Sequence, residues 1–315
     1  MLSLRMGDVS TPLKVLGKGQ FGTVYKAPGQ RAMKEITVLI PALDKFPWEE
    51  FEEVTRELTV VHHIQAYQDR SPTEFFSDKI VRFFGTHVER QSDRIVACLL
   101  MEQAACSLQD MFKASPNTIN WSIDAICSDM KQAITFLHLK IGWIARDISP
   151  GNVLKRAAAT GDVFLLADFG KARPLLSDFI SEREIYSCDH HGAAPYQPPR
   201  AFLSVAQRRL CNSKFSWKCA DWFGIGAVVL CACWPSRFWA VFESFQNFFR
   251  FSLEGIEAIL NDSVPLLPKA VANSVTLWIR RELEHVSPIL LEAEKKRFKT
   301  AARYDGVHPC SVVSP

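Results

Sequence analysis

Two short stretches of the chain carry side chains suited to moving a proton and holding a hard cation. The first is Ala145-Arg146-Asp147-Ile148-Ser149-Pro150-Gly151-Asn152. An aspartate followed five residues later by an asparagine, on a loop between apolar runs, suits two tasks. Asp147 can accept or orient a hydroxyl proton, and Asn152 can bind a metal ion. The second stretch is Leu165-Leu166-Ala167-Asp168-Phe169-Gly170, a strand-like run that ends in a carboxylate and a flexible glycine. Asp168 offers the carboxylate oxygens that Mg2+ prefers when it bridges phosphates.

A phosphate group would need a donor-rich cradle, and the glycine spacing Gly17-x-Gly19-x-x-Gly22-x-Val24 provides one. In a dinucleotide fold such glycines open a helix. Here β-branched Thr23 and Val24 continue the run, which makes it a hairpin lid whose backbone can approach phosphates closely. Ten residues after Val24 comes Lys34, in Ala32-Met33-Lys34. Its ammonium can reach the α- and β-phosphates but needs a carboxylate to hold it. Glu57 occupies the right helix face, while Glu49, Glu50, Glu52 and Glu53 read as solvated helix surface.

These residues require a particular set of elements. Two strands joined by the glycine turn, then a third over Arg31–Ile36, fit residues 12–38. Phe51, Val54, Leu58 and Val61 recur at helical spacing, so a helix is predicted over 48–63. Strands are predicted at 80–85 and 95–102, a long amphipathic helix at 121–141, and two short strand-like runs within 143–170. Trp222 to Trp234 reads as a helix that is apolar all round. Two more helices are predicted at 253–260 and 271–284, and a tail from Lys295.

The joint order of these motifs resembles the eukaryotic-type protein kinases, from about Leu13 to the helix near Trp278. The resemblance implies an α+β bilobal protein-kinase fold. A small antiparallel sheet with one helix would span 12–101, a larger mostly helical lobe 102–294, and a tail 295–315. It implies ATP and Mg2+ as cofactors and a protein substrate. Leu16, Gly17, Lys18, Gly19, Gln20, Phe21, Gly22, Thr23 and Val24 would cover the nucleotide. Val24, Ala32 and Leu154 would sandwich adenine, and Met101 would guard the pocket. Glu102, Gln103 and Ala104 would be the hinge that hydrogen-bonds the base. Lys34, Glu57 and Asp147 would be catalytic, Asn152 and Asp168 metal ligands, and Asp221 the anchor of the catalytic loop. Gly192-Ala193-Ala194-Pro195-Tyr196-Gln197-Pro198-Pro199 resembles the segment on which peptide substrates dock.

Four positions depart from the family pattern. Ala145 stands where a His or Tyr usually packs under Phe169, and Phe83 is a candidate to fill that volume. Ser149 replaces a lysine and Ala193 a threonine, which together removes a cation near the transferred group. Lys171 is a candidate substitute for it. Arg200 replaces a glutamate, and either pairs with Glu282 or Glu284 or is exposed. The departures keep open a weakly active scaffold, and the Ser-Pro-Gly-Asn run keeps open a small-molecule phosphotransferase. The divergent docking segment also resembles that of kinases encoded by large DNA viruses.

Composition sets the outer bounds. The 315 residues are 48% hydrophobic, with 22 Phe and 8 Trp, which excludes a disordered chain. A net charge of +3 with mixed signs argues against nucleic acid as a partner. No run reaches the roughly 20 apolar residues of a membrane span, and the first residues show no secretory pattern. Nine cysteines without framework spacing fit a reducing compartment, cytoplasmic or nuclear. Cys188, His190 and His191 form a conceivable metal cluster, without a second pair at finger spacing. Ser177, Ser181, Tyr186 and Ser187 are candidate phosphorylation sites near Arg146 and Arg173.

Overall fold

The computed structural model describes residues 14–19, 22–40, 46–70, 77–115, 120–158, 161–175, 196–198, 217–236, 238, 260–262, 264–281 and 284. Three strands, β1 (Val15–Gly19), β2 (Gly22–Ala27) and β3 (Arg31–Leu39), follow one another as antiparallel neighbours. With β4 (Phe83–Arg90) and β5 (Arg94–Glu102) they make a five-stranded sheet in the order β1-β2-β3-β5-β4. The β2–β3 connection is a three-residue loop between paired Ala27 and Arg31, in which Gly29 (φ +71°) and Gln30 (φ +56°) both adopt left-handed backbone. On β3, Ala32, Lys34, Ile36 and Val38 are buried and alternate with less buried neighbours, the period-two pattern of a one-sided sheet.

Helix α1 (Trp48–Arg70) packs on the buried face of this sheet. It runs seven residues beyond the predicted end at 63. The extra length carries Ile64 and Gln68, which continue the buried stripe of Val54, Glu57, Val60 and Val61. Gln68 is itself used: its Nε2 donates to the Val81 carbonyl and its Oε1 accepts from the Phe83 N–H. The strand predicted at 80–85 is displaced, since β4 starts at Phe83 and Ile80 instead bridges Leu166.

Beyond β5 come β6 (Cys106–Ser107) and α2 (Leu108–Ala114), neither of them anticipated. Ser107 caps α2 in a reciprocal box, accepting from the Asp110 N–H while the Asp110 carboxylate accepts from Ser107. Helix α3 (Ile123–Phe136) starts on the Ser122 cap and passes into one π-type turn, Leu137–Ile141, closed by Gly142 at φ +76°. The predicted single helix over 121–141 therefore changes character in its last turn. Then follow β7 (Trp143–Ile144), β8 (Val153–Ala158), β9 (Gly161–Leu166) and β10 (Arg173–Pro174). β6, β8 and β9 form one small sheet, and β7 pairs with β10.

Helix α4 (Trp217–Cys233) is buried along nearly its whole length, which explains a sequence apolar on every face. The Trp121 indole N–H donates to the Ala232 carbonyl at 3.0 Å, tying the start of α3 to the end of α4. A further helix covers 269–281, and Trp278 stacks on Trp222 at 5.3 Å between ring centres. The helix predicted at 253–260 and the tail from Lys295 lie outside the described residues, apart from Leu260. Among the described residues no helix is long and apolar enough to cross a membrane.

Candidate functional site

Lys34 lies at the centre of the site. On β3 it faces the core two residues after Ala32, and Val24 lies across from it on β2. Its Nζ donates to Glu57 Oε1 at 2.7 Å and to Asp168 Oδ1 at 2.8 Å. Glu57 sits in the buried stripe of α1, three residues after Val54 and four before Val61, so an apolar face delivers a carboxylate to the sheet. Burial alone would push the Lys34 ammonium to lose its proton, but attraction to Glu57 and Asp168 outweighs it and raises the pKa. Burial also pushes the Glu57 carboxyl up, against the pull of Lys34. For Asp168 burial acts in the same upward direction, but Lys34 and the Gly170 N–H outweigh it and hold the carboxyl below its usual range.

Gly22 is required where it stands. At φ +153°, a Cβ there would lie 2.2 Å from the Glu35 carbonyl oxygen on the neighbouring strand. Gly17 and Gly19 have no such neighbour, and with exposed Leu16 and Lys18 they leave the β1 backbone open. Gln20 and Phe21 lie outside the described residues. A cavity of about 400 Å³ beside the lid is lined by Gly22, Thr23, Glu35, Glu53, Glu57 and Gly170, among others.

The loop between β7 and β8 holds Asp147 and Asn152. The Asn152 Nδ2 amide donates to the Asp147 carbonyl at 2.9 Å and to Asp147 Oδ2 at 3.0 Å. Both contacts are acceptors, so they fix the amide orientation and leave Asn152 Oδ1 without a partner among the described residues. Asp168 takes Lys34 and Gly170 on Oδ1, which leaves its Oδ2 similarly open. Two oxygens of this kind fit a hard divalent cation that also binds phosphates.

The loop is held from below by Asp221 on α4, which is 1% exposed. Asp221 Oδ2 accepts from the Ala145 N–H and contacts His138 Nε2, both at 2.8 Å, and Oδ1 accepts from the Arg146 N–H at 2.8 Å. Arg146 adopts φ +66° and Asp168 φ +59°, left-handed conformations that cost side-chain-bearing residues about 1–3 kcal/mol each. Two consecutive N–H groups on one carboxylate supply a restraint that keeps Arg146 there. His138, in the π-type turn, is a residue that the sequence reading missed. Its signal was a histidine in the last turn of an amphipathic helix, seven residues before the loop.

The segment expected to bind the base is partly committed. The N–H groups of Glu102 and Gln103 donate to the carbonyls of Arg82 and Gln30. The Glu102 carboxylate takes the Arg82 N–H and pairs with Arg156 at 3.2 Å. Among the described residues the Ala104 N–H makes no hydrogen bond. Buried Ala32 and half-buried Val24 and Leu154 supply apolar surface, and Met101 is buried at the end of β5.

Two expectations about the departures meet their surroundings here. Phe83 is buried with its ring centre 6.2 Å from that of Phe169, and Ala145 is buried as well. Because Ala145 is itself buried, Ala145→His is expected to lower unfolding stability by about 1–3 kcal/mol, as chemical denaturation would show. Lys171 pairs with Glu53 at 2.8 Å, so its ammonium is drawn to α1. Glu53, read as solvated surface, is therefore part of the site's edge. Ala193, Arg200, Glu282, Cys188, His190, His191 and the four candidate phosphorylation sites lie outside the described residues.

The family model of the protein kinase domain matches residues 10–269. The chain belongs to the protein kinase family. Its kinase domain is similar to Serine/threonine-protein kinase 4 homolog B of Dictyostelium discoideum, 27% identical over 173 residues, which are 54% of this chain and 13% of that protein. It is similar to Serine/threonine-protein kinase pakG of the same organism, 29% identical over 224 residues, 70% of this chain and 16% of that protein. The Drosophila melanogaster serine/threonine-protein kinase hippo is 26% identical over 170 residues, 53% of this chain and 22% of that protein. This kinase thus spans less than a quarter of the length of each of these three relatives. The α+β architecture described above is the bilobal arrangement of the family.

Proposed function

We propose that this kinase transfers the γ-phosphoryl group of ATP, bound with Mg2+, to Ser or Thr hydroxyls of protein substrates. The observation that carries this reading is Lys34, bound at once by Glu57 and Asp168, with Asn152 and Asp147 joined beside it. Bound Mg·ATP supplies the phosphoryl group and the charge that offsets its oxygens. Lys34 would hold the α- and β-phosphates, and Glu57 would keep the ammonium aimed. Asn152 Oδ1 and Asp168 Oδ2 would hold Mg2+. Asp147 would accept or orient the substrate hydroxyl proton. The Ala104 N–H would donate to the base, between the apolar faces of Val24, Ala32 and Leu154, and Leu16 to Val24 would close over the phosphates. The nucleotide lobe would span 12–101 and the substrate lobe 102–294.

Serine or threonine as the acceptor comes from the names of the relatives. Protein rather than a small alcohol is favoured by the glycine-rich hairpin and by buried Tyr196, stacked on Phe238 at 5.5 Å in the segment where peptides would dock.

The test is transfer of radiolabel from ATP to a generic basic protein in the presence of Mg2+. Label on Ser or Thr after acid hydrolysis is expected, and Asp147→Asn should lower it at least about a hundredfold. Labelling of a small alcohol but of no protein would overturn the protein-substrate reading. Mg·ATP binding without transfer to any acceptor would instead favour a scaffold.

A further inference from the structure

The second half of α1 touches the larger lobe at a polar contact that none of the roles above uses. Trp143, on β7, is buried, and its indole Nε1–H donates to Nδ1 of His63 at 3.2 Å. The two rings stand edge to face, 6.0 Å apart at 72°. An indole N–H is a donor only, and a buried one needs an acceptor. His63, on the exposed side of α1, offers Nδ1 as that acceptor.

The positions of the two residues give the contact its reach. His63 lies six residues after Glu57 on the same rigid helix. Trp143 lies two residues before Ala145 and four before Asp147, on a strand paired with β10, which follows Asp168-Phe169-Gly170. One hydrogen bond thus joins the helix that aims Lys34 to the ribbon that carries both the catalytic loop and the metal-binding segment. It lies close to the position where Ala145 offers only a methyl group.

We infer that the Trp143–His63 hydrogen bond is a positioning contact for phosphoryl transfer, holding α1 in register with the catalytic loop where a small residue occupies position 145. The inference rests on the phosphoryl-transfer reading for its effect on rate. Among the described residues no hydrogen bond or ion pair joins either side chain to Lys34 or Asp168, so the contact acts through the helix and the strand.

The experiment compares Trp143→Phe, His63→Leu, the double variant and His63→Asn in the full chain. Each is assayed for kcat and KM and for hydrogen exchange of the α1 amides. Trp143→Phe keeps the ring but loses the donor, and His63→Asn returns an acceptor close to the place of Nδ1. Expected are a kcat about tenfold lower in each of the first two variants and an unchanged KM for the protein substrate. The double variant should lose no more than either single variant, and His63→Asn should recover most of the loss. Faster exchange over residues 57–63 should track the loss of rate. Additive losses, an Asn variant as poor as the Leu variant, or unchanged exchange in α1 would overturn the inference. If the wild-type chain transfers no phosphate, the phosphoryl-transfer reading fails, and the exchange measurement alone decides whether the tether exists.

Discussion

Lys34→Met is expected to lower phosphoryl transfer by about 10²–10³-fold and to cost about 3–5 kcal/mol of stability at neutral pH. The two effects have one origin. The ammonium is the only cation in hydrogen-bonding contact with both the Glu57 and Asp168 carboxylates among the described residues. Methionine fills similar volume but leaves the buried Glu57 carboxylate facing the partly exposed Asp168 carboxylate with no cation between them. The pH dependence should reveal this. Burial already pushes the Glu57 carboxyl above its ordinary 4.5, and the variant loses the opposing pull of Lys34, so Glu57 rises further. A carboxyl with a raised folded pKa destabilises the fold at higher pH, and the loss is recovered as pH falls through the folded value towards 4.5. The wild-type chain follows the opposite course at Asp168. Its folded pKa is held down, so it contributes stability above its ordinary value of 3.8 that is lost as pH falls through the folded value. Denaturation at neutral and mildly acidic pH should therefore show the gap between variant and wild type narrowing on acidification. A gap that stays constant would mean that Glu57 does not depend on Lys34.

Asp221→Ala should be comparably severe, by a different route. Its carboxylate receives the Ala145 and Arg146 N–H groups and contacts His138, all out of water. Removing it leaves buried donors unpaired, at about 1–3 kcal/mol each. A total of about 3–5 kcal/mol is expected, read as a lower midpoint in denaturant. The rate should fall as well, because Arg146 at φ +66° loses its restraint and Asp147 is the next residue. Asp221→Asn separates these effects. It keeps one acceptor oxygen and turns the other position into a donor, so it should retain part of the stability while still displacing the loop. Normal activity in Asp221→Ala would mean that the loop is held by other contacts.

Much of this was legible from residue order. The glycine spacing, Lys34, the Asp147–Asn152 pair and Asp168 each sit in a local pattern whose chemistry requires those residue types. Strands β1 to β3 and the first turns of α1 follow from two-residue and helical periodicities, which neighbours along the chain determine. Glu57 was singled out from four other glutamates because its helical phase matches Val54 and Val61. The all-apolar run of α4 could only be a buried helix.

Other features have no local signature. His138 and Asp221 are 83 residues apart, Lys171 and Glu53 118 apart, and Trp143 and His63 80 apart. No periodicity links such positions: the family resemblance marked Asp221 as an anchor and Lys171 as a candidate cation, but nothing local named His138, Glu53, Trp143 or His63 as their partners or as a pair. The short elements β6 and α2 escaped notice because two strand residues and seven helical ones are too few to establish a period. Glu53 looked like solvent-facing helix until the fold placed Lys171 against it. The sequence by itself determined which residues can handle phosphate and in what order they come, because those roles depend on side-chain chemistry and local spacing. Only the tertiary structure decided which charge neutralises which, and that Asp221 holds its loop through the Ala145 and Arg146 N–H groups and contacts His138, with Arg146 in a left-handed turn. Those outcomes depend on distances that the chain acquires when remote segments pack together.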